Sequence, residues 1–344
     1  MTQAALSYDD ILLVPQYSDI RSRAEIDLSV DLGNNLNLQL PILSSPMDTV
    51  SESEMCLSMA QQGAAGIIHR YNTIEEQVSM AVTMIGEHGP GHVVGAAVGT
   101  SLDFIQRARL LTRVGVTFIC VDVAHGHHVL MKEALHALRC ALGDDIHIMA
   151  GNVATLEGVN DLADWGANSV RCNIGGGSIC STRIQTGHGL PGLHTIMECA
   201  KTDRDVAIIA DGGIRNSGDM VKALALGADA VMIGSLLAGT TESPGKLLED
   251  GTGQKWKLYR GMASKEAQMD WRGNYSSLEG VSSRVPYVGP AAEILHDLGR
   301  GIRSGLSYSG ARTITELQTK AKFTTQTGAG QTESRPHIQG RRWA

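Results

Sequence analysis

The sequence predicts a (β/α)8 barrel, an α/β fold in which eight parallel strands alternate with helices. Short aliphatic segments that end in Gly, Asp or His recur along the chain. Most show no clean alternation of apolar and polar residues, which is typical of parallel strands buried on both faces. Helix-period segments lie between them, so eight strand–helix units fit within about 200 residues. A doubly wound sheet is the alternative, but no G-x-G-x-x-G opens the first crossover, which argues against a Rossmann cofactor site.

The predicted elements follow one another in a regular order. Strands are predicted at residues 40–47, 64–69, 93–98, 118–123, 146–153, 169–175, 207–212 and 230–237. Helices between them are predicted at residues 53–62, 102–113, 128–142, 156–165, 193–200 and 217–226. Gly-Ala pairs at 166–167 and 227–228 are typical of a helix C-cap that leads into the next strand.

The pattern breaks after the eighth strand. Residues 239–290 are polar and rich in Gly and Ser, and a structureless connection of this length is uncommon in a compact domain. We therefore predict a functional lid there, with a flap at about 260–285 on the C-terminal side of the barrel. Residues 324–344 are rich in Gly, Thr, Gln and Arg, which predicts a mobile tail or an arm that contacts another subunit. Residues 1–344 are expected to form one catalytic barrel domain.

Charge and composition disfavour several kinds of partner. The chain has 29 basic and 36 acidic residues, a net charge of −7, which disfavours nucleic acid and anionic membranes. The chain has few aromatic residues (3 Phe, 4 Trp and 7 Tyr) compared with 40 Gly, which argues against a surface on which nucleic-acid bases stack. No apolar run approaches the roughly 18 residues of a membrane span, and the start has no basic region before an apolar stretch. Six cysteines without C-x-x-C spacing complete the pattern expected of a soluble, reduced, cytoplasmic protein.

Active sites of such barrels lie at the C-terminal ends of the strands, so the strand ends become candidates. These segments are residues 44–48, 69–70, 122–126, 151–152, 175–182, 211–213 and 234–235. The most informative stretch is 175–183 (GGGSICSTR), whose glycines allow a ligand to approach and whose backbone groups suit a phosphate or a monovalent cation. Cys180 on this loop is placed for nucleophilic attack, with Arg183 or a helix dipole favouring the thiolate.

A tight turn with a buried, inert cysteine is the alternative for this loop. The other cysteines lie within apolar runs or helices and are each expected in the core: Cys56, Cys120, Cys140, Cys172 and Cys199.

Two other strand ends carry acidic residues. Asp211 and residues 233–235 end the seventh and eighth strands, where barrel loops often form a phosphate site. Asp211 itself suits a ribose diol, and plain glycine turns are the alternative. Asp122 is followed by three histidines, at 125, 127 and 128, in a spacing that fits no common zinc pattern. An aspartate that takes part in hydrogen bonds is therefore favoured over a metal site.

Several segments together resemble the IMP dehydrogenase/GMP reductase family. They are residues 6–15 (LSYDDILLVP), 46–50 (PMDTV), 150–153 (AGNV), the 175–183 loop, 210–214 (ADGGI) and 259–262 (YRGM), and they stand in the family order. The resemblance runs from about residue 6 to residue 335. It implies a (β/α)8 barrel, a purine nucleotide substrate (GMP or IMP), a nicotinamide cofactor and a homotetramer. The family's paired regulatory CBS modules would follow the second strand, but only 23 residues separate His69 from Val93, so these modules are absent.

The resemblance also implies roles for individual residues. Cys180 is similar to the nucleophile that forms a covalent thioimidate at purine C2, and Thr182 to the hydroxyl that assists proton transfer. Glu279 resembles the carboxylate that faces N1–H of the base, where it can move a proton as C2 changes hybridisation. The implied catalytic set is Cys180, Thr182, Glu279, Asp122 and Arg70. Substrate contacts are implied for Ser178, Asp211, Gly212, Gly213, Gly234, Ser235, Tyr259, Gly261, Met262 and Ala263. Cofactor contacts are implied for Asp122, Ser44, Ser45 and Ser264.

A potassium ion is implied at the cysteine loop, where Gly175, Gly177 and Cys180 match the family. Two positions in this loop depart from the pattern. Asn173 stands where the family usually has Gly, and Gly176 stands where it usually has Pro.

The two family reactions share the covalent purine and differ in the step after it. The resemblance implies that a dehydrogenase passes hydride to NAD and then needs water activated by an adjacent Arg-Tyr pair on a long mobile flap. A reductase instead releases ammonia from GMP and takes hydride from NADPH. Here only 16 residues separate Met262 from Glu279, and two residues separate Arg272 from Tyr275. This short flap favours the reductase.

Other segments point in both directions. Residues 22–27, 122–126 and 233–245 resemble reductases, whereas residues 45–47 and 323–334 resemble bacterial dehydrogenases. Arg70 replaces a Lys of some reductases and keeps a cation beside the nucleotide. We expect NADPH-dependent reductive deamination of GMP to IMP and ammonia, with NAD-dependent oxidation of IMP to XMP as the alternative. A third interpretation is a catalytically silent nucleotide-binding barrel that serves in assembly, and the intact catalytic set argues against it.

Overall fold

Eight parallel strands form a closed barrel in this computed structural model, which describes residues 4–88, 93–101, 103–334 and 336. Three short strands precede the barrel: β1 (Ile11–Leu13), β2 (Val30–Asp31) and β3 (Asn37–Leu38). The barrel strands are β4 (Ile42–Ser44), β5 (Gly66–Ile68), β6 (Val94–Val98), β7 (Phe118–Asp122), β8 (His147–Val153), β9 (Ser169–Cys172), β10 (Ala207–Asp211) and β11 (Ala230–Ile233). Strand β11 pairs with β4, and the Ser44 N–H donates to the Ala65 carbonyl at 3.0 Å to close the circle. The predicted fold is confirmed.

Helices surround the barrel. They are α1 (Ser53–Gln61), α2 (Ile74–His88), α3 (Phe104–Arg113), α4 (Val129–Leu142), α5 (Leu156–Asp164), α6 (Thr182–Thr186), α7 (Gly192–Cys199), α8 (Ser217–Ala225), α9 (Ser235–Ala238), α10 (Lys265–Arg272), α11 (Ala291–Tyr308), α12 (Ile314–Lys320) and α13 (Gly328–Glu333). Side-chain hydrogen bonds cap the N-termini of several helices. At α5, for example, the Thr155 hydroxyl accepts from the Gly158 N–H. Among the described residues, no helix has the length and apolar character needed to cross a bilayer.

Apolar side chains fill the inside of the barrel and seal one of its ends. Phe118 and Met149 are fully buried in the inner cluster. Leu36 and Leu38 of the β2–β3 hairpin belong to the same cluster, and His147 at the start of β8 donates from Nδ1 to the Gly33 carbonyl of that hairpin at 2.9 Å. The hairpin therefore closes the amino-terminal end, which leaves the carboxyl ends of the strands as the open rim.

Several strands end earlier at this rim than the sequence predicts. Strands β4, β9 and β11 end at Ser44, Cys172 and Ile233, short of the predicted ends at 47, 175 and 237. Apolar residues continue in the sequence past the end of each strand. Composition therefore does not show where the chain leaves the sheet to form a loop at the rim. Helix α3 begins at Phe104, and residue 102 of the predicted helix lies outside the described residues.

Residues 239–290, predicted as a functional lid because a structureless connection of this length is uncommon, contain regular structure. An antiparallel sheet of β12 (Leu247–Glu249), β13 (Lys255–Arg260) and β14 (Ser282–Pro286) stands there, with α10 between β13 and β14. The Asp250 carboxylate holds the β12–β13 turn by accepting from Thr252 and Trp256. These partly exposed strands lack the apolar runs of barrel strands, which is why composition indicated only a polar connection. We call residues 260–285 the flap.

The C-terminal stretch begins as regular structure. Strand β15 (Phe323–Thr325) pairs antiparallel with β1, and α13 follows it. Residues 335 and 337–344 lie outside the described residues, so the mobility or subunit contact expected of the tail stays a prediction.

Candidate active site

A cavity of about 310 Å³ lies at the carboxyl ends of the barrel strands, beneath the flap. It brings together residues from distant parts of the chain. The predicted site residues that line it are Ser45, Arg70, Asp122, Gly175, Gly177, Ser178, Cys180, Thr182, Asp211, Gly212, Gly213, Gly234, Ser235, Tyr259, Gly261, Met262, Ala263 and Glu279. Predicted substrate, cofactor and cation residues thus share one cavity with the cysteine.

Two residues expected to contact a cofactor lie outside this lining. Ser44 is fully buried and its hydroxyl is within 2.7 Å of the Ser51 hydroxyl. Ser264 is also fully buried, and it caps α10 by accepting from the Ala267 N–H at 3.2 Å. Both hydroxyls make hydrogen bonds within the framework, and their expected contact with a cofactor stays a prediction.

Cys180 and Glu279 lie on facing segments that are pinned together. The Ser181 N–H donates to the Glu279 carbonyl at 2.9 Å, and the Val281 N–H donates to the Ile179 carbonyl at 3.0 Å. The Cys180 thiol donates to the Thr182 hydroxyl across 3.1 Å. This short antiparallel bridge sets the thiol, the hydroxyl and the carboxylate in one wall of the cavity, so a nucleophile has proton-transferring groups beside it.

Arg171, which the sequence analysis did not single out, organises the acidic wall. This buried residue of β9 donates from Nη2 to Asp122 at 2.8 Å and from Nε to Asp211 at 3.2 Å. Burial alone would raise the pKa of Asp122, but the guanidinium groups of Arg171 and Arg70 hold it below its ordinary value. The available signal was an arginine inside an apolar strand, since a buried charge needs a partner.

Arg70 lies between a carboxylate and two aromatic rings. Its Nε is 3.6 Å from Asp122 Oδ2, too far for a hydrogen bond, and no described residue gives that buried nitrogen a hydrogen-bond partner. The guanidinium carbon lies 5.4 Å from the Tyr71 ring centroid and 5.8 Å from that of Trp271. The aromatic pair therefore helps to hold this cation at the edge of the cavity.

Glycines and a tyrosine form the opposite side. Gly212 and Gly213 have φ of +87° and +79°. This left-handed backbone conformation is one that L residues rarely adopt, so the turn requires glycine. A Cβ at Gly234 would lie 3.0 Å from the Tyr259 hydroxyl, so the two residues approach closely. Burial raises the pKa of Tyr259 to about 12, so its neutral phenol can donate to an anion.

Arg272 and Tyr275 of the flap lie outside the cavity lining. The Arg272 guanidinium donates to Gln268, to Ser276 at 3.0 Å and to the Asn274 carbonyl. Tyr275 is 48% exposed, with the Lys265 ammonium 5.0 Å from its ring centroid. Neither Arg272 nor Tyr275 belongs to the cavity lining.

The histidines after β7 take part in local hydrogen bonds. His127 Nε2 lies 2.8 Å from Asp161 Oδ2, and His128 caps α4 by accepting from the Leu130 N–H. Across the described residues, no three His, Cys, Asp or Glu side chains are grouped to hold a metal ion.

The cysteines outside the cavity follow the expectation except at one position. Cys56, Cys120, Cys172 and Cys199 are buried. Cys140 is exposed, so its expected core position is wrong. It falls on the outer face of α4, whose buried face is formed by Met131, Ala134, Leu135 and Leu138.

These observations define a barrel enzyme with a candidate nucleophilic cysteine at the rim. The family model for the IMP dehydrogenase / GMP reductase domain matches residues 5–337, and the chain belongs to this family. It is 33% identical to inosine-5′-monophosphate dehydrogenase of Nitrosopumilus maritimus, over 96% of this chain and 98% of the relative. It is 31% identical to GMP reductase of Leishmania major, over 96% of each.

A solved structure also resembles the whole chain. It is a cysteine-to-alanine variant of GMP reductase from Trypanosoma brucei in complex with guanosine 5′-monophosphate, with a TM-score of 0.91, 29% identity and 98% of each chain covered. The sequence alignment with the Nitrosopumilus relative extends over 467 positions, more than the 344 residues here, so that relative holds sequence that this chain lacks. Residues 69–93, between β5 and β6, are too few for the paired regulatory modules of the family.

Proposed function

We propose that this chain is a GMP reductase that converts GMP to IMP and ammonia with NADPH. The observation that carries the proposal is the position of Arg272 and Tyr275, which hydrogen-bond within the flap or face solvent and do not line the cavity. Oxidation of IMP to XMP needs an activated water at the covalent purine, whereas reduction of GMP does not. A site without a water-activating pair favours the reductive reaction.

The cavity suits a purine nucleotide lying from the glycine turns to the flap. The phosphate would bind the backbone and hydroxyl groups of Ser178, Gly212, Gly213, Gly234, Ser235 and Tyr259. Asp211 would accept from the ribose diol, since Arg171 and Asn152 both donate to its Oδ2 and fix the carboxylate at the cavity wall. Gly261, Met262, Ala263 and Glu279 would read the edge of the base.

The first chemical step would exchange nitrogen for sulfur at C2. The Cys180 thiol loses its proton through Thr182 and Glu279, and the thiolate attacks C2 of GMP. The C–N bond to the exocyclic amino group breaks, and that group takes up a proton and leaves as ammonia. The product is a thioimidate between Cys180 and the purine, with no change of oxidation state. The 3.1 Å contact between the Cys180 thiol and the Thr182 hydroxyl supports this proton path.

The second step would reduce the covalent purine. A bound NADPH would be the hydride donor for C2 of the purine, the C–S bond would break, and Cys180 would recover its proton as IMP leaves. Asp122, Arg70 and Ser45 line the side of the cavity where we place the nicotinamide end. The Asp122 carboxylate on this side pairs with the guanidinium groups of Arg171 and Arg70.

IMP dehydrogenase activity with NAD is the second candidate. Similarity to several IMP dehydrogenases, at 33% identity for Nitrosopumilus and Aquifex aeolicus, favours it. It would require Arg272 or Tyr275 to move into the cavity and activate water.

The test compares both reactions on one preparation under the same buffer. With GMP and NADPH we expect steady NADPH consumption matched by ammonia release, and with IMP and NAD at most a single burst. Sustained formation of free XMP without GMP-dependent NADPH consumption would contradict the proposal. Cys140→Ala is the matched control for Cys180→Ala, since Cys140 is an exposed cysteine outside the cavity.

We further propose a homotetramer of single-domain chains in the cytoplasm, with the tail at 324–344 as a mobile or subunit-contacting arm. Light scattering on the full chain, compared with a chain shortened after residue 322, tests both the assembly and the arm. A monomeric full chain would contradict the assembly.

A further inference from the structure

The loop that carries Cys180 is held by a side chain that the family pattern lacks. Asn173 directly follows β9, is 4% exposed and has φ of +153°, which an L residue rarely adopts. Its Nδ2 donates to the Gly212 carbonyl at 3.2 Å, and its Oδ1 accepts from Arg183 Nη2 at 3.4 Å. One amide therefore connects the start of the cysteine loop to the glycine turn after β10 and to α6.

The same amide occupies the space beside Gly176. A Cβ at Gly176 would lie 2.0 Å from Asn173 Nδ2, which is well inside van der Waals contact. Any side chain at position 176 therefore requires Asn173 to move. The two departures from the family pattern, Asn for Gly at 173 and Gly for Pro at 176, are complementary in space.

Arg183 adds a fixed positive charge to this brace. Its Nε donates to the Ile174 carbonyl at 3.2 Å, and its Nη2 donates to the Leu190 carbonyl. A Cβ at Gly175 would lie 2.9 Å from that Nε, so the guanidinium packs against Gly175. The Gly177 carbonyl already accepts from the Cys180 N–H at 3.0 Å.

These contacts do not fit the potassium ion that the family resemblance implies. Two of its three expected ligand residues are affected: Gly175 packs against a guanidinium, and the Cys180 N–H uses one lone pair of the Gly177 carbonyl. A cation there would lie near the exposed Arg183 guanidinium, whose like charge disfavours its binding.

We propose that Asn173 is a positioning residue that orders the Cys180 loop in place of a potassium ion. The proposal rests on the proposed function only for the role of Cys180 as nucleophile. With the amide in place, the hydrogen bonds of Asn173 and Arg183 supply the order that a bound cation would otherwise provide.

The first test varies the cation on the wild-type protein. Replacing KCl by NaCl at constant ionic strength should change kcat for GMP reduction by less than about twofold and leave the melting temperature unchanged. A potassium requirement would overturn the proposal. The melting temperature reports cation binding even if the protein does not reduce GMP.

The second test removes the brace. Asn173→Gly should lower kcat at least about tenfold with little change in KM, because it disorders the nucleophile and leaves most substrate contacts intact. Asn173→Asp keeps the link to Arg183 but loses the Nδ2 donor, so its kcat should lie between those of wild type and Asn173→Gly. The rate at which iodoacetamide alkylates Cys180, followed by mass spectrometry of its peptide, should change in the same order. Unchanged kcat and alkylation in Asn173→Gly would overturn the proposal.

The third test uses the complementarity of positions 173 and 176. Gly176→Ala alone should displace Asn173 and lower both kcat and Cys180 alkylation, and Asn173→Gly combined with Gly176→Ala should be more active than Gly176→Ala alone. Gly86→Ala, where a Cβ meets no atom within 4 Å, is the matched control and should behave as wild type. Full tolerance of Gly176→Ala would overturn the proposal, even if Asn173→Gly fails to fold. Alkylation is measured without turnover, so a wild type that lacks reductase activity would contradict the proposed function and leave this test intact.

Discussion

Tyr71 and Trp271 stack with ring centroids 4.1 Å apart and ring planes within 10° of each other. Tyr71 lies just beyond β5 on the barrel rim, and Trp271 lies in the last turn of flap helix α10. The stack therefore connects the flap to the barrel beside Arg70. A second link joins the same helix to the rim, since Arg260 pairs with both Asp48 and Asp270. The flap is a docked helix more than a free loop.

Trp271→Ala should release this helix. The stacked pair contributes roughly 1 kcal/mol beyond its buried area, so we expect about a fivefold loss of kcat/KM for GMP reduction. Trypsin should also cleave faster after Lys265 or Arg272, because the helix opens more often. Trp271→Phe keeps a ring for stacking and is the control. Equal cleavage rates in wild type and Trp271→Ala would show that the stack does not hold the flap.

Cys180→Ala should abolish turnover while GMP affinity stays within about tenfold of wild type, because phosphate and ribose contacts carry most ground-state binding. Calorimetry with GMP and a steady-state assay measure the two quantities. Covalent catalysis would be refuted if the variant kept more than a few per cent of kcat.

Glu279→Gln should slow the chemical step by roughly 10² or more, since general acid–base groups typically contribute 10² to 10⁴. Single-turnover mixing with GMP and NADPH isolates this step from product release. Glu249→Gln, at an exposed carboxylate on β12, is the matched control. Normal single-turnover rates in Glu279→Gln would assign the carboxylate a structural role only.

Arg171→Met should destabilise the fold by about 3 kcal/mol, because it leaves the partly buried carboxylates of Asp122 and Asp211 without their shared partner. Urea unfolding measures the loss. Adding Asp122→Asn to Arg171→Met removes one of the stranded charges and should recover part of the stability. If Arg171→Met alone were as stable as wild type, water would have to replace the guanidinium.

The sequence identified the parts of the site that follow from chain order. Cys180, Asp122 and Asp211 were found because parallel strands of a barrel end at one rim, so a residue after a strand faces the cavity. Arg171 was missed because its partners come from other strands and only the closed barrel brings them together. The flap helix was missed because its contacts, such as the Tyr71–Trp271 stack, are made with residues about 200 positions away.

His147 should make stability fall in mild acid. Burial lowers the pKa of His147 to about 4, against the hydrogen bond to Gly33 that favours protonation. The unfolded chain takes up this proton near pH 6.5, whereas the folded protein does not. The contribution of neutral His147 to the free energy of unfolding is therefore complete above about pH 6.5 and is lost as the pH falls toward 4. The loss at pH 5 is about 2 kcal/mol. His147→Gln keeps a donor for Gly33 and an acceptor for the Ser169 hydroxyl without titrating. Urea unfolding at pH 7 and pH 5 should therefore show a smaller drop for the variant than for wild type, and since all other carboxylates and histidines are shared, their contributions cancel in the comparison. Parallel drops in the two proteins would show that His147 is protonated in the folded barrel and does not control its acid stability.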